Sequence, residues 1–339
     1  MSTSRRALLT GGAASAVALA LAACGQDQPA VTPEVTESAV AESVLSAERL
    51  TEVLERIKKG MDAADKEKNP DLLSGYVNGP GVRVRQAQYS LATATEDDSQ
   101  VHVLPATTSQ TSSAGVTLDF PRVAINVTDA SDDVAPYLMA LQQDTARDNF
   151  QLWAWVQLFA GAEVPPIASL AGGSEQVVAD SDGLVSTPQE VLDSYVGALN
   201  DPDGEDGKAW ADDALRQKVE ADRAIDLGEV GEVSVSASAG SDGFLGLRTD
   251  DEGAIVVTTL SYTTTLRRTV DGSEVTLQGP VASMVEDPSV IGTVTATYEA
   301  VVAFAIPVEG SDSSPVALGA EAVLAKVERD DDQAPTAQD

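Results

Sequence analysis

Few side chains in this sequence are equipped for covalent chemistry. His102 is the one histidine and Cys24 the one cysteine. In "QVHVLP" strand alternation sets His102 opposite Val101 and Val103. A Ser-His-Asp or Cys-His arrangement would have to use it, yet no nucleophile motif stands nearby, so it reads as a surface or partly satisfied strand histidine. The chain holds no G-x-S-x-G elbow and no S-x-x-K pair. Gly204-Glu205-Asp206-Gly207-Lys208 lacks P-loop spacing, and its acids would repel phosphate. "NDPDGEDG", from Asn200 to Gly207, has the oxygens of a calcium loop. Counting from Asp201, however, position six is Asp206 and position twelve Asp212, where an EF-hand needs glycine and glutamate. No metal, no cofactor and no catalytic residue is assigned. What remains is aromatic: Trp153 and Trp155 share one face of a strand, and Tyr262 and Tyr298 lie on later strands. These four are the candidate lining of a concave pocket. For the two tryptophans the competing role is core, packed against a helix that starts near Ser46.

Cys24 suits a different task. Arg5 and Arg6 form a positive start, Ala7 to Ala20 supply a short apolar run, and Leu21-Ala22-Ala23-Cys24 resembles the bacterial lipobox, in which the thiol is acylated and the chain is cut before it. Residues 1–23 are therefore the expected lipoprotein signal peptide. Ser4-Arg5-Arg6-Ala7-Leu8-Leu9 also resembles a twin-arginine export signal. The run is too short and too alanine-rich for a membrane span of about 20 apolar residues. The expected address is extracytoplasmic, on the outer face of the cell membrane, held there by lipid.

Composition agrees with an exported acidic protein. There are 54 Asp+Glu against 21 Lys+Arg, a formal charge of −33, which becomes −35 once Arg5 and Arg6 leave with the leader. That field excludes nucleic acid as a partner, because binding phosphate needs clustered Lys and Arg. It also excludes electrostatic docking on anionic lipid, so the anchor must do the tethering. The partners expected are the membrane, through the lipid, and an unidentified envelope protein.

Residues 24–45, poor in large apolar side chains, read as a flexible tether. Leu50, Val53, Leu54, Ile57, Met61 and Ala64 recur at helical spacing. Asn69-Pro70 opens a short second helix through Val77, which Gly79-Pro80-Gly81 breaks. Strands are expected near 101–104, 120–127, 136–141 and 150–159. The second half begins at Thr187-Pro188-Gln189-Glu190, a capping box with proline next to the cap. A shorter helix is expected near 211–224, then strands near 232–238, 254–268, 274–277, 292–306 and 316–327. Residues 329–339 read as a disordered acidic tail.

Helices followed by long strands imply an α+β fold with helices on one face of an antiparallel sheet. The order repeats: a shift of 138 lays Glu52-Val53-Leu54-Glu55 on Glu190-Val191-Leu192-Asp193. Two related modules are therefore expected, 46–182 and 183–328, each with N-terminal helices on a curved antiparallel sheet. This order resembles the nuclear-transport-factor-2-like and cystatin-like folds, in which a curved sheet cups a helix. "DTARDNFQLWAWVQLFAGAEVP" (Asp144 to Pro165) and "GLVSTPQEVLDSY" (Gly183 to Tyr195) resemble segments of actinobacterial lipoproteins of unassigned function. The reading is a non-catalytic cell-envelope lipoprotein, a binding or scaffolding module anchored through Cys24. The alternative is a small-molecule-binding or isomerase-like protein that uses a cupped-sheet pocket around the four aromatics.

Overall fold

The computed structural model describes residues 42–130 and 134–336. The leader, Arg5, Arg6, the Leu21-Ala22-Ala23-Cys24 box and most of the expected tether lie outside the described residues. From Ala41 onward the chain makes one compact unit. Its order starts with α1 (Ala47–Glu67) and α2 (Gly79–Thr95), then β1 (Thr111–Ala114), β2 (Arg122–Val127), β3 (Tyr137–Gln143), β4 (Gln151–Leu158) and β5 (Gln176–Val177). The second half adds α3 (Pro188–Asn200), α4 (Glu205–Ala209), α5 (Ala214–Arg223), β6 (Gly231–Ala239), β7 (Leu245–Arg248) and β8 (Ala254–Arg268). It closes with α6 (Gly279–Ser283), β9 (Thr293–Ile306) and β10 (Val316–Asp330).

Local signals account for the helix starts. Ser46 caps α1 by accepting from the Arg49 N–H, and the α3 capping box forms in both directions between Thr187 and Glu190. One helix departs from the sequence reading. Gly79-Pro80-Gly81 opens α2 instead of ending a helix: Pro80 sits in its first turn, where a missing N–H costs nothing. The glycines serve packing. A Cβ on Gly79 would lie 2.5 Å from Trp153 Nε1, and one on Gly81 would lie 2.8 Å from the Trp153 carbonyl oxygen. Only glycine lets α2 approach β4 this closely. The segments expected as strands at 101–104 and 274–277 are irregular. Leu45, expected in the tether, is buried. At the other end β10 runs to Asp330, where the tail was expected to have begun.

The ten strands among the described residues all join one antiparallel sheet in the order β1-β2-β3-β4-β10-β9-β8-β7-β5, with β6 also on β8. Strands from both halves thus hydrogen-bond into one layer, joined where β4 meets β10 and again where β5 meets β7. The sheet curls until its ends touch: Gly115 bridges Ser174, and the Val123 N–H donates to the Gln176 side chain. The long strands β8 and β9 bury both faces over their first-paired stretch. Ile255, Val257, Val301 and Ala303 belong to the core that includes α1 and α2, while Val256, Val302 and Phe304 belong to the core under α3 and α5. From Leu260 onward β8 alternates, with Tyr262, Thr264 and Leu266 buried and Ser261, Thr263 and Thr265 half-exposed. Among the described residues no helix is long and apolar enough to cross a membrane.

Candidate functional site

The junction between β4 and β10 shapes the site. These strands pair only at Gly319 and Ala320, and a Cβ on Gly319 would lie 2.3 Å from the Gln157 carbonyl oxygen. Beyond Ala320 the strands part. α2 then packs beside β10 on one face, α5 lies over the other, and a cleft of about 680 Å³ opens between them. The excursion joining β8 to β9 closes one side, held by its own small core of Leu266, Val275, Leu277, Val290 and Val294. The volume and mixed lining are those of a small-molecule site.

Its walls are largely apolar, with Leu91, Leu227, Leu266, Leu277, Val281 and Leu324 prominent. Apart from Asp226, which caps the Gly228 N–H, its charged groups come as pairs. Lys218 Nζ on α5 reaches Asp222 Oδ2 one turn later at 2.5 Å, and lies 4.7 Å over the Tyr298 ring. Across the cleft, His102 Nδ1 lies 2.7 Å from Glu321 Oε1. Glu321 is only 3% exposed and also accepts from Gln88 Nε2 at 2.8 Å. Gln88 in turn accepts from Arg85 Nη1 at 2.7 Å, and Arg85 Nε meets Asp65 Oδ1 at 3.1 Å. A chain of buried polar side chains from α1 to β10 therefore ends on the imidazole that faces the cleft. Burying such groups is costly unless they are paired; here Arg85, Gln88 and Glu321 each have polar or charged partners, with Arg85 Nε meeting Asp65 as an ion pair without a hydrogen bond.

The environment shifts several of these groups. The hydrogen bond to Glu321 raises His102 above the ordinary imidazole value, outweighing its partial burial. Burial, then the Asp222 charge, pushes the Tyr298 phenol up to about 12. Tyr262 is raised further, by burial first, then by the Asp222 charge and by Tyr298 beside it. Burial lifts the Asp65 carboxyl despite Arg85 beside it. Both phenols are thus held in their neutral form, and the buried Tyr262 hydroxyl has no hydrogen-bond partner among the described residues.

The structure divides the four expected aromatics. Tyr298 lines the cleft, and Tyr262 lies stacked beside it, ring centroids 4.5 Å apart and 4° from parallel. Trp153 and Trp155 do not line it. Both are buried in β4 beneath α2, where the Arg85 guanidinium lies 5.4 Å over the Trp155 ring. Their place is core, covered by α2, the helix that the sequence reading omitted. His102, read as a strand histidine, lies instead on an irregular segment against Glu321. Lys218 and Asp222 were missed altogether; their four-residue spacing was visible, but their position in a cleft was not. A larger hollow of about 780 Å³ lies between residues 159–165 and 307–318, and its charged lining is wholly acidic: Glu163, Asp212, Asp213 and Asp251. Among the described residues no cluster of His, Cys, Asp and Glu is placed to hold a metal ion.

Residues 41–326 match the family described as a domain of unknown function, DUF8094. The chain belongs to that family. No curated protein and no solved structure matches it.

Proposed function

We propose that this chain is a non-catalytic, lipid-anchored binding protein of the cell envelope, and that its ligand is an apolar small molecule held in the cleft between α2 and α5. The cleft carries the reading: a cavity of small-molecule size whose walls are mainly aliphatic, with a few convergent polar groups. The inner acid–base side chains, Lys218 with Asp222 and His102 with Glu321, are tied in pairs, which suits holding a molecule better than transforming one. The Leu21-Ala22-Ala23-Cys24 box supports the anchor, and the acidic composition suits an exported surface.

The related-module reading extends this. Each half contributes helices and then antiparallel strands, and we take the halves as two nuclear-transport-factor-2-like or cystatin-like repeats whose sheets have merged at β4 and β10. The cleft then lies where one repeat's helix α2 meets the other's α5.

Two measurements test the proposal. In membrane fractionation, wild type is expected in the membrane and Cys24→Ala in the soluble fraction; an unchanged distribution overturns the anchor. For the cleft, the full chain carrying Cys24→Ala should enhance Nile red fluorescence saturably. Adding Val281→Trp, which fills the cleft from α6, should weaken that binding by roughly tenfold or more while the protein still melts cooperatively. Nile red binding that ignores Val281→Trp, or no binding at all, contradicts the cleft reading.

A further inference from the structure

The cleft's charges decide what it can admit. Lys218 and Asp222 neutralise each other at 2.5 Å, and His102 faces Glu321 at 2.7 Å. Asp226, the other charged group on the wall, is negative, exposed at the mouth and turned onto the Gly228 N–H. A carboxylate or phosphate entering this space would lose its water, meet no unpaired cation and face a chain of net charge −33. An ammonium head would find the inner carboxylate, Asp222, already taken by Lys218, and Glu321 buried behind His102. An uncharged head loses far less on leaving water. In the cleft it finds neutral partners: on the sheet the Tyr298 hydroxyl, held in its protonated form, and Thr264, whose hydroxyl lies 3.5 Å from Asp222, and on the β8–β9 excursion the Gln278 amide.

We infer that the ligand is an uncharged amphiphile, with an aliphatic body along Leu91, Leu227, Leu277 and Leu324 and a hydroxyl or ester head near Tyr298, and that the Lys218–Asp222 pair excludes charged analogues of the same shape. This rests on the cleft being the binding site. The pair acts as a specificity device by cancellation: it offers no net charge to either kind of ion, so a charged head seated beside it, away from Asp226 at the mouth, pays desolvation without a partner. Removing one member should therefore recruit the ligand of opposite sign. Asp222→Asn leaves Lys218 free to meet an anion, and Lys218→Met leaves Asp222 free to meet a cation.

The test is calorimetric titration of the full chain carrying Cys24→Ala with monolauroylglycerol, laurate and laurylammonium, which share one chain and differ in head charge. At neutral pH monolauroylglycerol should bind roughly tenfold or more tightly than either ion. Asp222→Asn should shift the laurate-to-monolauroylglycerol affinity ratio roughly tenfold toward laurate, and Lys218→Met should shift the laurylammonium ratio by a similar factor toward laurylammonium. If either ion binds wild type best, or neither variant moves its ratio, the inference is overturned while the cleft reading stands. If none of the three binds wild type, the cleft reading itself falls. Thermal melts identify a variant that fails to fold, in which case the remaining variant and the wild-type order decide.

Discussion

The helices α2 and α5 lie on opposite faces of the same long strands and treat them differently. α2 presses onto β4 through Gly79 and Gly81, and Trp153 and Trp155 disappear beneath it. α5 buries Leu215 and Val219 but presents Lys218 and Asp222 to a cavity that Tyr298 also lines. Both places hold a pair of large aromatics on the sheet. They differ in the residue opposite: glycines let α2 close on both tryptophans, whereas the paired Lys218 lies over Tyr298 at the cleft and Tyr262 beside it is buried.

That comparison breaks most sharply at the tight side. Trp155→Ala should destabilise the fold by about 3–5 kcal/mol, since it removes a buried ring and leaves a cavity under α2. Gly81→Ala should cost about 1–3 kcal/mol by forcing α2 away from β4. On the open side, Tyr298→Phe should change stability by less than about 1 kcal/mol while weakening monolauroylglycerol binding. Urea unfolding checks all three, and equal costs on the two sides would remove the distinction between them.

A smaller effect sharpens the polar end. His102 should titrate above 6.5 in the folded protein, because Glu321 accepts from its ring. Since the folded value is the raised one, the stabilisation this pair contributes is fully present below the unfolded value. It fades as pH rises through the folded one. Nuclear magnetic resonance of the single imidazole reads this directly, and Glu321→Gln should bring the midpoint down toward the ordinary value. A midpoint that ignores Glu321→Gln would separate His102 from the buried chain behind it.

Much of the frame is legible in the residues. "LSYTTTL" alternates as β8 does, the Thr187–Glu190 box marks the start of α3, and the α1 stripe is the buried face. Two things were not legible, for physical reasons. Glycine and proline punctuate a chain in either direction, and only the tryptophan face opposite Gly79 shows that here they begin a helix. The cleft is assembled over long range: His102 meets Glu321 across 219 positions, and Lys218 meets Tyr298 only because α5 folds back over β9. Local periodicity places each strand without saying which helix covers it or how closely.

The most direct measurement is native mass spectrometry of the full chain isolated gently from its native host, compared with the same protein carrying Val281→Trp. A one-to-one complex with an uncharged amphiphile, lost in Val281→Trp, is the expected result. Bare protein in both cases, or an adduct indifferent to Val281→Trp, would contradict the assignment of the cleft.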